Sequence, residues 1–149
     1  MTEQTLPDFQ KLVADYQNKL TNGQRADLRR AEEPDALLDM PAFYNLVQRC
    51  GLKAGLQSGR IIYFLPYVKH KEGAKPIGRQ MQEQHISETR LFQVIRAEFP
   101  DDLVYLRRLT QQMKPAADWQ EFGKMLYFWG KNTKRQLLKD YFLKPQKDQ

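Results

Sequence analysis

Residues 118–142 read D-W-Q-E-F-G-K-M-L-Y-F-W-G-K-N-T-K-R-Q-L-L-K-D-Y-F, and the spacing of their apolar side chains sets the fold class for the whole chain. Asp118 stands where a side-chain oxygen accepts from the free N–H groups of a first helical turn, and Glu121 three residues on completes a capping box. Trp119, Phe122, Met125, Leu126 and Trp129 recur at helical spacing, so one face is built for burial. Gly130 is placed to end that helix, because glycine takes the left-handed closing conformation without a steric penalty. Asn132 is positioned to cap a second helix, whose apolar stripe is Leu137, Leu138, Tyr141 and Phe142. Beside the stripe, Lys131, Arg135 and Lys139 recur at i, i+4 and i+8 and line one edge. The stretch is an aromatic helical hairpin with a basic ridge.

The same period runs back toward the N-terminus. Phe9, Leu12, Val13, Tyr16 and Leu20 mark a first helix entered at Pro7, and Asn22-Gly23 breaks it. Residues 24–31 form a short surface helix or turn bearing Arg25, Arg29 and Arg30. After a turn at Pro34, Asp39 and Pro41 start a helix with Phe43, Leu46, Val47 and Cys50 inward, closed by Gly51. Ser58 is a candidate cap for residues 59–65, which are apolar all round from Ile61 to Leu65. A buried strand would look alike, but no partner strand is evident, so helix is favoured. Pro66 ends it. The run from His70 to Gly78 has the Gly, Pro and Lys content of an exposed loop.

Beyond that loop, Ser87 caps a helix with Ile86 and Leu91 at the staple positions. Its inward face is Leu91, Phe92, Val94, Ile95 and Phe99, with Arg90 and Arg96 on the shoulders, and Pro100 stops it. Asp101 and Asp102 put negative charge at the next helix start, where the backbone dipole favours it. Leu103, Leu106, Leu109 and Met113 point inward there, Arg107 borders the face and Arg108 lies outside it. The fold class is therefore all-α: one domain over 1–149, a bundle of roughly eight or nine helices, with sub-bundles 1–68 and 79–144 joined by the 69–78 loop.

At 149 residues the chain is long enough to bury a core without staples. Its 24 Lys and Arg against 18 Asp and Glu give a net charge of +6 and a pI near 9.4. Such a surplus fits an anionic partner or solvated helix faces equally. Its distribution favours the partner, because Asp140 is the single acid between Lys124 and Lys147.

Cys50 is alone, and at i+7 from Phe43 it reads as a small buried hydrophobe. The longest apolar run is too short to span a bilayer, which points to a cytoplasmic protein without a membrane partner. Enzyme chemistry finds no support: the chain has no Gly-rich phosphate loop, no His-Glu-x-x-His and no Cys pair. His70 and His85 read as surface histidines, so no metal or other cofactor is expected.

Five groups of cations sit on predicted elements: Arg25, Arg29 and Arg30; Lys69, Lys71, Lys75 and Arg79; Arg90 and Arg96; Arg107 and Arg108; and Lys131, Lys134, Arg135 and Lys139. Groups of this kind neutralise phosphates and give affinity without sequence preference. The aromatics fall at core spacing and read as packing rather than base-stacking platforms.

In order along the chain, N-G-Q-R-A-D-L-R-R from Asn22, E-P-D-A-L-L-D-M-P-A-F-Y-N-L-V from Glu33, I-G-R from Ile77, T-R-L-F-Q-V-I-R-A from Thr89, V-Y-L-R-R-L from Val104, D-W at Asp118, W-G-K from Trp129 and Q-L-L-K-D-Y-F-L from Gln136 resemble the CasB family, the small subunit of the type I-E CRISPR complex Cascade. The resemblance implies a non-catalytic all-α subunit of a ribonucleoprotein. Its partners would be the backbone and large subunits, a second copy of itself, CRISPR RNA and target DNA. It also implies that a basic surface holds the opened target DNA. By matching position the candidates are Arg29, Arg30, Arg90, Arg96, Arg107, Arg108 and Lys131, while Lys134 and Arg135 rest on charge. Arg90 and Arg96 flank a buried face over which their stems can lie. The alternative is a helical assembly subunit whose basic patches meet acidic neighbours or guide RNA.

Overall fold

The structure, a computed structural model, describes residues 6–143. Helix α1 spans Phe9–Asn18, and Asp8 caps it by accepting from the Lys11 N–H at 3.0 Å. Helix α2 is Asn22–Arg29. Thr21 Oγ1 accepts from Gln24 N–H, and Gln24 Oε1 accepts from Thr21 N–H. This capping box makes Asn22-Gly23 the first turn of α2 rather than the break expected of them. A 3-10 helix at Pro34–Asp39 leads to α3, Pro41–Arg49, closed by Gly51 in the left-handed region (φ 64°).

Of the helix expected over 59–65, only the first part is helical, in α4, Leu56–Ile62; residues 63–67 continue as turns, so the helix ends ahead of Pro66. Its start lies ahead of Ser58, whose buried hydroxyl donates back to Lys53 O instead of capping. The order continues through β1 (Lys69–His70), α5 (Ile77–Glu83), α6 (Glu88–Arg96), α7 (Asp101–Met113), β2 (Ala116–Ala117), α8 (Trp119–Tyr127) and α9 (Lys131–Phe142). The architecture is all-α, with one two-residue parallel bridge between β1 and β2. Lys144 and Lys147, which contribute to the C-terminal surplus of charge, lie outside the described residues.

The hairpin of α8 and α9 forms, with different ends. Gly130 is extended rather than left-handed, and α8 already stops at Tyr127. The Thr133 hydroxyl accepts from Gly130 N–H and donates to Gly130 O, so α9 starts at Lys131 and not after Asn132. Asp118 caps α8 through the Gln120 N–H at 3.0 Å. Its second oxygen accepts from Gly73 N–H, and His70 Nδ1 accepts from Trp119 N–H. The Trp119 indole donates to Val68 O. Residues 68–73 are thereby clasped to the start of α8, and His70 is a working acceptor rather than a loose surface histidine.

One cluster of buried residues runs from Phe9 to Leu137. Helix α8 packs on α1 and α4, α6 on α7, and α5 on α9. Two glycines permit the closest approaches. A Cβ on Gly78 would lie 2.5 Å from Leu137 O, and one on Gly123 would strike the Phe9 ring.

At the start of α7, Asp102 is 2% exposed and serves three donors. Oδ1 accepts from Leu103 N–H, while Oδ2 accepts from the Trp129 indole at 2.9 Å and pairs with Lys134 Nζ at 3.0 Å. Lys134 also donates to Ala97 O. This buried joint ties α6, α7 and α9, beyond the dipole role expected of Asp102.

Helix α5 ends with His85 at φ 62°, with Ile86 N–H returning to Met81 O and His85 N–H to Gln82 O. This is the hydrogen-bond pattern that usually selects glycine. Because His85 is exposed, His85→Gly should relieve left-handed strain of about 1 kcal/mol. Thermal unfolding should then rise by about 2–4 °C, and an unchanged or lower midpoint would contradict the strain.

Candidate nucleic-acid interface

Arg107 decides how the basic residues are arranged. Expected at an exposed border of α7, it is 6% exposed. Its guanidinium lies 4.0 Å over the Tyr63 ring and 4.9 Å from that of Tyr67. The planar cation is stabilised there by the negative faces of both rings. Nη2 donates to Arg29 O at 3.0 Å, and Tyr67 donates to the same carbonyl at 3.3 Å. That carbonyl belongs to the last turn of α2, so a cation and a phenol close the helix end. Arg107 Nη1 is buried without a hydrogen bond among the described residues. The correction is physical: a side chain at the edge of an apolar stripe turns inward when aromatic faces await it.

Around this support lie three exposed cations. Arg29 and Arg30 close α2, and Arg108 follows Arg107 on α7. Arg30 pairs with Asp27 at 2.6 Å on the open surface, where such a pair contributes little. Arg108 lies over Tyr105. Burial pushes the Tyr63 phenol up, while Arg107 and Arg108 pull it down. Burial likewise raises Tyr16, against the pull of neighbouring Arg29. The Arg107–Arg29 contact thus sets the end of α2, which carries Arg29 and Arg30, beside the stretch of α7 that carries Arg107 and Arg108. Tyr63 and Tyr67 were absent from the sequence-based candidates, and their i, i+4 spacing was the available signal.

The remaining candidates divide. Arg90 donates to Gln112 Oε1 and joins α6 to α7, and Lys134 is held at Asp102 with its side chain 16% exposed. Both act as braces in this fold. Arg96 is exposed and lies over the Phe92 ring. Lys131 and Arg135 are exposed on α9, together with Lys139. In the other groups, Arg25 donates to Leu20 O and Gln17 O and so closes α1. Arg79 is buried against Gln82, and Lys75 pairs with Glu83.

Elsewhere the chemistry is quiet. Burial and the adjacent Asp15 push the Cys50 thiol up to about 11, so it stays protonated near neutrality. Among the described residues no group of three His, Cys, Asp or Glu is placed to hold a metal ion, and no helix is long and apolar enough to cross a membrane.

No protein-family model matches the chain. The CRISPR system Cascade subunit CasB of Escherichia coli (strain K12) is 36% identical over 144 residues, 87% of this chain and 90% of that protein. A chain in the crystal structure of E. coli Cascade bound to a PAM-containing double-stranded DNA target superposes with a TM-score of 0.85. That match is also 36% identical and covers 93% of this chain and 99% of the other. Identity of this extent, on a shared fold and along nearly the full length of both proteins, shows that the chain belongs to the CasB family of Cascade subunits.

Proposed function

We propose that the protein is the non-catalytic small subunit of a type I-E Cascade ribonucleoprotein and steadies the opened target DNA by gripping phosphates without reading sequence. Its partners in this reading are the backbone and large subunits, a second copy of itself, CRISPR RNA and target DNA. The observation that carries it is the cluster of exposed Arg29, Arg30 and Arg108 around the rigid Arg107 support. Guanidinium groups suit phosphate because two parallel N–H groups meet two oxygens. Lys131, Arg135 and Arg96 offer further cations on α9 and α6. Guide pairing reads the sequence in machines of this kind, so backbone contact is what remains for such a subunit.

Charge reversal of Arg29, Arg30 and Arg108 together tests it in the assembled complex. The complex should form normally and release opened DNA sooner. Each phosphate that is no longer gripped should lower the slope of log affinity against log salt by about 0.7 on single strands and 0.9 on duplex. Unchanged retention and slope would remove these arginines from the interface. Failed assembly would instead favour the assembly-subunit alternative.

A further inference from the structure

Phe142 at the end of α9 and Phe92 on α6 stand outside the core cluster, beside Tyr141, which packs against it. Phe142 is 47% exposed, with its ring 6.2 Å from that of Phe92 on α6 and tilted at 43°. Arg96 lies 4.9 Å over the Phe92 ring and occupies one of its faces. Tyr141 meets Phe142 edge-on at 4.8 Å and is itself anchored, its hydroxyl donating to Ile86 O. The ring of Phe142 is therefore held on two sides while almost half of its residue surface stays in water. A single exposed Phe is ordinary, but here two rings and a guanidinium form a row.

Charge says what the row would meet. On a helix of 100° per residue, Arg135 and Phe142 lie about 20° apart, and Lys131 and Lys139 flank them. The ridge from Lys131 to Phe142 is about 16 Å long, and its cationic side chains are exposed. Asp140 points away from it, half-buried and bonded by Gln136. Among the described residues, Glu88 is the one acid lining the shallow depression on α6 beside Phe92 and Arg96. A cationic track that ends in an open aromatic face is the arrangement that single-stranded nucleic acid favours: phosphates follow the charges and a base stacks on the ring.

We propose that Phe142, backed by Phe92, stacks an unpaired base of a single strand whose phosphates meet Arg96, Arg135 and Lys139. The proposal rests on the nucleic-acid reading above and adds single-strand selectivity at a second place on the surface. It also revises the expectation that every aromatic side chain serves packing.

The test uses assembled Cascade carrying Phe142→Ala or Phe142→Trp, with a fluorescent adenine analogue placed at successive positions of the unpaired strand. Phe142→Ala should weaken single-strand binding about tenfold. It should also abolish the quenching that stacking produces, while duplex affinity and the salt slope stay as in the parent. Phe142→Trp should restore both affinity and quenching. If Phe142→Ala matches the parent while charge reversal at Arg29, Arg30 and Arg108 still weakens binding, stacking is overturned and the phosphate reading survives. If Phe142→Ala weakens binding and the charge reversals do not, stacking survives and the phosphate patch falls. A folded Phe142→Ala chain that no longer enters the complex would assign the ring to a protein contact and overturn the proposal.

Discussion

Asp102→Ala is expected to cost about 3–5 kcal/mol, the range for removing one partner of a buried ion pair. The loss is large because one carboxylate serves three donors from different places: Leu103 N–H, the Trp129 indole and Lys134 Nζ. Alanine leaves the Lys134 ammonium facing apolar surroundings with only Ala97 O as partner. It also leaves a buried indole N–H unpaired, worth about 1–3 kcal/mol by itself. Asp102→Asn should lose less, since an amide oxygen of the same shape still accepts from Trp129. The double change Asp102→Leu with Lys134→Met should recover part of the loss, because apolar replacement of a buried pair removes its desolvation cost. Chemical denaturation of the parent and the three variants measures this. An Asp102→Ala midpoint equal to the parent's would mean that the joint contributes nothing.

Gly78→Ala should be strongly damaging, at about 1–3 kcal/mol for an overpacked site. The added carbon would lie 2.5 Å from Leu137 O, 2.8 Å from Asp140 Cβ and 3.2 Å from Tyr141 N. Two of these are backbone atoms of α9, so relief requires the whole helix to move away from α5. Helix propensity argues the other way, since alanine is favoured over glycine inside a helix by about 0.5–1 kcal/mol. Gly23→Ala isolates that term: its nearest neighbour is Thr21 Oγ1 at 3.8 Å, so it should stabilise. Opposite signs for the two substitutions in thermal unfolding would establish close approach as the cause. A neutral Gly78→Ala would show that α9 yields easily.

Apolar periodicity made most of the helices legible, because a buried stripe must recur at the helical period wherever its partner lies. Trp119, Phe122, Leu126 and Trp129 are buried as their spacing requires. Helix ends were less readable. The Thr21–Gln24 capping box is a local signal, but Asn22-Gly23 inside it carries a stronger turn preference and masked it. The two-residue strands are too short to show alternation. Polar side chains at the margins of a stripe were the least readable. Arg107 reaches a carbonyl 78 residues earlier, and Asp102 an indole 27 residues later. No window of sequence contains such partners. For the candidate interface, the sequence therefore located cations without separating Arg29, Arg30 and Arg108, which face water, from Arg107 and Lys134, which hold the fold.

Arg107 has a further effect that needs no contact. Its charge pairs with no carboxylate among the described residues, and it lies in a medium less polarisable than water. Mobile ions cannot gather around it as they do around a surface lysine, whose field fades within about 8 Å at physiological ionic strength. Its guanidinium sits against the end of α2, beside exposed Arg29 and Arg30, so its field adds to theirs. An approaching anion is drawn toward that helix end before it touches any side chain, which raises the rate of encounter rather than the lifetime of the complex. In the proposed role, a residue too deep to grip DNA would still help to bring it in.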